Sequence, residues 1–79
     1  MRFSNSTREG EATLLAFGSE LIQDSHFRQH LEHHIPVQVY RKGVYTGIGR
    51  ITGYDADFVE IGGTLYSRIA FTFISRPGY

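Results

Sequence analysis

The chain has no cysteine, no tryptophan and no excess of charge, since its eight basic and eight acidic side chains cancel. The absence of cysteine excludes disulfide staples and thiolate metal sites. The balanced charge argues against a strongly electrostatic nucleic-acid binder, which is usually basic. No apolar run approaches the roughly 18 residues of a membrane-spanning helix. Any contact with a nucleic acid would therefore rest on a local surface patch, and we expect no membrane partner.

The length of the chain sets a second limit. Its 79 residues are enough for one domain with a modest core. A small β-rich domain without disulfides often gains stability by associating with copies of itself. Residues 1–15 lack the apolar core of a secretory signal. We therefore expect a single cytoplasmic domain that forms a homo-oligomer.

The N-terminal part of the chain carries helical signals. Phe17 and Leu21 lie four residues apart and predict part of one apolar helix face. Asp24 offers a helix cap further along the chain. Pro36 ends helical character, because the residue before a proline is pushed toward extended geometry. We predict a mainly helical segment over residues 1–34.

The C-terminal part alternates apolar with polar residues, which is the pattern of half-buried strands. Turns separate five predicted strands, over residues 37–40, 44–54, 58–61, 64–67 and 69–74. Three glycines inside the long second strand indicate bends or bulges, typical of a strand that takes part in two sheets. Asp55 and Asp57 follow that strand, and we interpret them as side chains that cap backbone N–H groups. We predict an α+β fold in which the helical segment precedes a small, strongly bent, five-stranded antiparallel β-barrel over residues 35–79.

A barrel this small has sheet edges to cover. In the last predicted strand, Ile69, Phe71 and Phe73 alternate with residues that are also mostly apolar, so both of its faces suit burial. Leu65 lies in the neighbouring fourth strand. We therefore predict an interface between copies of the chain that contains Leu65, Ile69, Phe71 and Phe73.

Several short motifs occur in a characteristic order. Residues 36–40 form an apolar-polar strand, and Gly49, Arg50 and Ile51 precede a turn that begins with Asp55. Tyr66, Ser67 and Arg68 form a triplet ahead of the last strand. This order resembles the Sm-like family, and within it the bacterial Hfq branch of RNA chaperones. There the corresponding elements are the first strand, the first Sm motif and a Tyr-Lys-His triplet.

The resemblance implies a non-catalytic ring, in which the fourth strand of one subunit pairs with the fifth of the next, and RNA contacts near the ring openings. The chain departs from the family pattern in the triplet, where Ser67 and Arg68 replace lysine and histidine. It also lacks the basic cluster of the family's helix, where it has Arg28 and Glu32. Small Sm-like or SH3-like barrels also serve as protein-interaction modules without an RNA role, including in endospore-forming bacteria.

The aromatic and basic side chains of the barrel half are candidates for a nucleic-acid surface. Aromatic rings stack on bases at about 1–3 kcal/mol per base, and Arg or Lys side chains hold phosphates. The alternatives are aromatic packing in the barrel or between subunits, and an ordinary solvated turn with an ion pair. Tyr45, Tyr54 and Phe71 are further stacking candidates. The predicted RNA-binding residues are Tyr40, Arg41, Lys42, Tyr66 and Arg68.

Three histidines share one predicted helix face. His26, His30 and His34 lie four residues apart in succession. Two histidines at this spacing can share a zinc ion, and imidazoles can also act as a pH switch. The sequence favours a third interpretation, a solvated helix face. We predict no metal site and no cofactor. Because no nucleophile elbow or ordered triad occurs, we predict no enzyme activity.

Two functions remain open. The first is a non-catalytic Sm-like binding module, a homo-oligomer that contacts single-stranded RNA through tyrosines and arginines. The second is a protein-interaction or structural module of the same fold in a bacterium, for example in sporulation, without RNA binding. The aromatic and arginine placement favours the first function. The zero net charge and the altered triplet favour the second.

Overall fold

The computed structural model describes residues 18–78, which contain one helix and five strands. In chain order these are α1 (Asp24–Glu32), β1 (Pro36–Arg41), β2 (Val44–Tyr54), β3 (Phe58–Ile61), β4 (Thr64–Ser67) and β5 (Thr72–Ser75). Neighbouring strands pair antiparallel in the order β4-β3-β2-β1-β5. The predicted α+β class and five-stranded antiparallel sheet are therefore confirmed. The sheet is open, with β4 and β5 at its two edges.

Helix α1 is short and is capped by a side chain that the sequence analysis did not choose. The Nδ1 atom of His26 accepts the backbone N–H groups of Ile22 at 2.9 Å and Gln23 at 3.2 Å. Gln23 is the cap residue and Asp24 is already the first helical residue, so the predicted cap was wrong. The helix ends before Pro36, as predicted. Among residues 18–78, no helix is both long and apolar enough to cross a membrane.

The chain ahead of α1 is extended where a helix was predicted. Residues 18–21, which we call the edge segment, run along the outer edge of β5. Gly18 N–H donates to the carbonyl of Ser75, Ser75 N–H donates to the carbonyl of Ser19, and Leu21 N–H donates to the carbonyl of Phe73, each at 2.8 Å. These bonds satisfy backbone groups that an open strand edge would leave unpaired. Residues 1–17 of the predicted helical segment, including Phe17, lie outside the described residues.

Strand β2 changes partner along its length. Its first part pairs with β1 and its second part with β3, with irregularities opposite Val39 and Tyr40 and again between Ile51 and Gly53. A bulge bends its strand and increases the local twist. At Gly49, an added Cβ atom would lie 2.7 Å from Cγ2 of Ile61, so this position has no room for a side chain. The bulges predicted from the glycines are confirmed.

The core lies between α1 and one face of the sheet. Phe27 of the helix packs edge-to-face on Phe73 of β5, with ring centroids 5.6 Å apart, and lies 6.1 Å from the ring of Tyr54. Tyr54, a further stacking candidate, is half-buried and packs on the helix through this contact. The fully or nearly fully buried apolar residues are Leu21, Phe27, Val37, Val39, Ile51, Val59, Ile61 and Phe73.

The fifth strand starts three residues later than predicted. The carbonyl of Ser67 accepts the N–H groups of Ala70 at 3.2 Å and Phe71 at 3.1 Å, which closes a turn before β5. Ile69 lies in that turn and is 98% exposed. Its placement in a strand was wrong, because apolar alternation alone does not reveal a turn held by backbone hydrogen bonds.

Candidate nucleic-acid interface

The turn between β1 and β2 places two cations at the tip of a hairpin. Arg41 pairs with Val44, which leaves Lys42 and Gly43 as a two-residue loop. Both loop residues have positive φ angles, 50° at Lys42 and 79° at Gly43. This is the backbone geometry that suits the twist of a tight hairpin. Arg41 and Lys42 are both exposed, and we call Arg41, Lys42 and Gly43 the hairpin tip.

Aromatic rings flank the hairpin tip on two sides. On one side Tyr40 and Tyr45 meet edge-to-face, with centroids 5.8 Å apart. On the other side the guanidinium carbon of Arg41 lies 5.6 Å from the ring centroid of Phe71. Phe71 in turn packs edge-to-face on Tyr66 at 5.1 Å. Four of the five predicted RNA-binding residues are therefore connected. Tyr40, Arg41 and Lys42 are consecutive in the chain, and the ring of Phe71 links Arg41 to Tyr66.

The two tyrosines among the predicted RNA-binding residues already make contacts within the protein. Tyr40 donates its hydroxyl to Oε1 of Gln38 at 3.3 Å, and Tyr66 also packs against Phe73 at 6.4 Å between centroids. Both rings are half-buried. Tyr45 is 52% exposed and offers more ring surface than either. The sequence indicates Tyr45 only as a further candidate, because the alternation of apolar and polar residues does not show how much of a ring stays exposed.

A groove lies next to Tyr40 and Gly43 of the hairpin region. It has a volume of about 290 Å³ and lies along β1 and β5. Arg76 lines it and donates from Nε to Oε1 of Gln38, the same oxygen that Tyr40 contacts. The lining residues are Gly18, Tyr40, Gly43, Thr72, Ile74 and Arg76. A tyrosine ring and a guanidinium group thus border one concave surface next to the hairpin tip.

Arg68 has a different role from the one predicted. Its guanidinium group donates to Oδ1 of Asp24 at 2.7 Å, to the carbonyl of Asp55 and to the carbonyl of Ile22 at 3.3 Å. It also lies 4.4 Å from the ring centroid of Phe27. Only 14% of the Arg68 side chain is exposed. These contacts direct the donors of Arg68 into the protein, so Arg68 is not part of the exposed cationic surface.

The part of the chain that the structure describes places no acidic side chain in an ion pair with Arg41 or Lys42. Within residues 18–78, the one ion pair of a basic with an acidic side chain joins Arg68 to Asp24. Asp55 is also engaged, since its Oδ1 accepts the N–H groups of Asp57 and Phe58 at 2.8 Å each. These two hydrogen bonds lower the pKa of the Asp55 carboxyl below its usual value. The predicted capping role is confirmed for Asp55, while Asp57 contributes its backbone.

The histidine face is not a solvated surface at its centre. His30 is fully buried, its Nδ1 lies 2.8 Å from the carbonyl of His26, and its Nε2 lies 2.7 Å from Oγ of Ser75. Because a carbonyl oxygen can only accept a hydrogen bond, Nδ1 of His30 carries the proton and donates the hydrogen bond. Nε2 then accepts a hydrogen bond from the Ser75 hydroxyl. Burial lowers the pKa of His30 below its usual value. His34 lies beyond the helix, and residues 18–78 contain no cluster of three side chains that could hold a metal ion.

The predicted interface residues lie in different surroundings. Phe73 is buried in the core of its own chain and Phe71 is half-buried under Arg41. Leu65 is 63% exposed on β4, and Ile69 is exposed in the turn that follows. Only Leu65 and Ile69 therefore present most of their side chains to a partner.

The two sheet edges also differ. The edge segment covers β5 through three backbone hydrogen bonds. Strand β4 pairs with β3, and no other strand within residues 18–78 pairs with it. Among the described residues, the free edge of the sheet is therefore β4.

Comparison of the chain with protein-family models, with curated proteins and with solved structures finds no match in any of the three.

Proposed function

We propose that the chain is a non-catalytic binding module of the bacterial cytoplasm that contacts single-stranded RNA at the hairpin tip. One observation carries this proposal. Arg41 and Lys42 are exposed and form no ion pair within residues 18–78, they follow Tyr40 of the Tyr40–Tyr45 pair directly in the chain, and the Arg41 guanidinium lies over the ring of Phe71. A surface that binds single-stranded nucleic acid has two parts: cations that contact the phosphates of the nucleic acid, and aromatic rings that stack on its bases.

The Sm-like part of the proposal is supported by the strand order. Strands β4 and β5 are the two edges of the sheet, and these are the strands that pair between subunits of Sm-like rings. The bulges of β2 suit a sheet that bends into a small barrel. The edge segment opposes a ring of that kind, because it occupies the side of β5 that a neighbouring β4 would use. We therefore propose RNA contact without a ring closed through β5.

A salt-dependent titration tests RNA binding. The probe is a fluorescent single-stranded RNA of uridines or adenosines, and binding to the full chain is measured by anisotropy between 50 and 200 mM salt. For single strands the slope of log K against log salt is about −0.7 per neutralised phosphate. We expect the double variant Arg41→Ala, Lys42→Ala to bind more weakly. The magnitude of its slope should be smaller by about 1.4, which is the contribution of two neutralised phosphates.

The control is Arg28→Ala, which removes an exposed cation from α1. It should leave the affinity and the slope near those of the unchanged chain. An unchanged chain that shows no salt-dependent binding, or a double variant that binds like Arg28→Ala, contradicts the proposal.

A second function is favoured by a separate observation, the open β4 edge. A row of unpaired N–H and C=O groups is a template for a strand of another chain. In this alternative the chain is a protein-interaction module and the hairpin tip is a solvated turn. This alternative predicts that the chain assembles through β4. It also predicts that the Arg41→Ala, Lys42→Ala variant gives the same RNA titration as the unchanged chain.

A further inference from the structure

Strand β4 is short, at four residues, but it carries none of the charges, prolines or bulges that protect many exposed edges. Natural edge strands carry charged residues, proline or bulges that prevent pairing with another chain. Strand β4 has the sequence Thr-Leu-Tyr-Ser, with no charge and no proline, and its register against β3 is regular. Leu65 at its centre is 63% exposed, and Phe58 on the adjacent strand is 42% exposed. The two side chains share a sheet face, since Phe58 pairs with Ser67 and Leu65 with Glu60.

The hairpin geometry shows which backbone groups of β4 face outward. Gly62 and Gly63 both have positive φ angles and form a two-residue turn, so Ile61 and Thr64 close the hairpin. In an antiparallel pair, hydrogen-bonded and non-hydrogen-bonded residue pairs alternate along the strands. Because Thr64 bonds to Ile61, the next residue, Leu65, directs its N–H and C=O away from β3. Ser67 faces the same way, but its carbonyl already accepts two N–H groups of the following turn. Leu65 is thus the residue of β4 with both backbone groups directed to the open edge.

We propose that β4 of one chain pairs antiparallel with β4 of a second copy, about a two-fold axis at Leu65. Each Leu65 would exchange both backbone hydrogen bonds with its counterpart, and the two leucine side chains would lie side by side on one sheet face. The inference deepens the interaction-module alternative and does not depend on RNA binding.

Two observations select a second copy as the occupant. A head-to-tail contact would need the outer side of β5, which the edge segment already covers with three backbone hydrogen bonds. Pairing β4 with β4 uses the same patch on both chains, so it closes at a dimer. The strand is uncharged and the chain has zero net charge, so two copies meet without like-charge repulsion at the contact. The expected assembly is a two-fold dimer.

Native mass is the first test of the β4 dimer. The chain has a mass of 9.0 kDa, and light scattering after gel filtration should give about twice this value. The variant Leu65→Lys adds a charge of the kind that protects natural edges, and we expect it to be monomeric. The matched control is Val44→Lys, which replaces an apolar strand residue that is 67% exposed on β2. Circular dichroism of both variants checks that they fold.

A cross-link tests the position of the axis and needs no loss of folding. Because the chain has no cysteine, Leu65→Cys introduces a single thiol. Directly opposed residues in a hydrogen-bonded pair have Cα atoms about 5.5 Å apart, which suits a disulfide. Under mild oxidation we expect Leu65→Cys to form covalent dimers at least tenfold faster than Val44→Cys.

A monomeric mass of the unchanged chain at several hundred micromolar, or a mass of five to eight copies, would overturn the β4 dimer. So would a dimer that survives Leu65→Lys, or equal cross-linking of the two cysteine variants. None of these measurements contains RNA, so their failure is distinct from failure of the RNA proposal.

Discussion

The hydroxyl of Ser75 lies 2.7 Å from Nε2 of His30, and both side chains are fully buried. This bond joins α1 to β5, across 45 residues of sequence. The backbone of Ser75 also bonds to the edge segment, through Gly18 and Ser19. One residue of β5 thus contacts the helix and the edge segment that precedes it.

We expect the stability of the protein to fall as the solution is acidified below about pH 6.5. The pKa of His30 is lowered in the folded state, because burial outweighs the opposing effect of the hydrogen bond to the His26 carbonyl, and the side chains of His26 and His33 lower it further. Above the unfolded pKa of about 6.5 both states are neutral at this position, so His30 has no effect there. Below it the unfolded state binds a proton first, and the free energy of unfolding falls by up to about 1.4 kcal/mol per pH unit until the folded pKa is passed.

Urea unfolding at several pH values between 5 and 8 measures this effect. His30→Gln should remove most of the slope, whereas His33→Gln, at an exposed position, should retain it. An equal slope in the unchanged chain and in His30→Gln would contradict the assignment.

Removal of the Ser75 hydroxyl should destabilise the fold. In Ser75→Ala the Nε2 atom of His30 loses its buried donor, at a cost of about 1–3 kcal/mol. Ser25→Ala removes a hydroxyl from an exposed helical position and should change stability by less than about 0.5 kcal/mol. Chemical denaturation at pH 7.5, where the His30 proton does not contribute, compares the two. Equal stabilities would show that the hydrogen bond has no net value.

Arg68 should matter far more to stability than its ion-pair partner does. Asp24 is 71% exposed, so Asp24→Asn should cost less than about 1 kcal/mol. Arg68→Ala also removes donors to two backbone carbonyls and the contact with Phe27, and we expect a loss of about 2–4 kcal/mol. A double-mutant cycle measured by urea unfolding should give a coupling below about 1 kcal/mol. A coupling near the full effect of Arg68→Ala would mean that the ion pair is the main contribution.

Two glycines of β2 should respond differently to alanine. Gly49→Ala places its Cβ atom against Ile61 and should destabilise the fold by about 1–3 kcal/mol. No atom lies within 4 Å of the corresponding position at Gly47, so Gly47→Ala should be close to neutral. Thermal unfolding of the two variants provides the measurement. Similar melting temperatures would show that β2 can shift away from Ile61 at little cost.

The local elements of this fold are largely determined by the sequence. The alternation of apolar and polar residues predicted β2, β3 and β4 with the observed bounds. Asp55 predicted the capped turn that precedes β3. These features depend on neighbours within a few residues, where backbone preference and side-chain capping decide the conformation.

The placement of functional side chains was decided by tertiary structure. Periodicity put His30 on a helix face but did not show that Ser75, far along the chain, would bury it. The same limit applies to Arg68, whose donors contact Asp24 and Ile22 more than 40 residues away, and to Leu21, which belongs to an extended segment on β5 and not to a helix. Sequence pattern sets which side chains share a face, whereas long-range packing decides which face is covered and by which residue. Hence the sequence itself indicated the cations of the hairpin tip, and only the folded chain showed that the edge segment covers β5 while β4 has no second partner strand within residues 18–78.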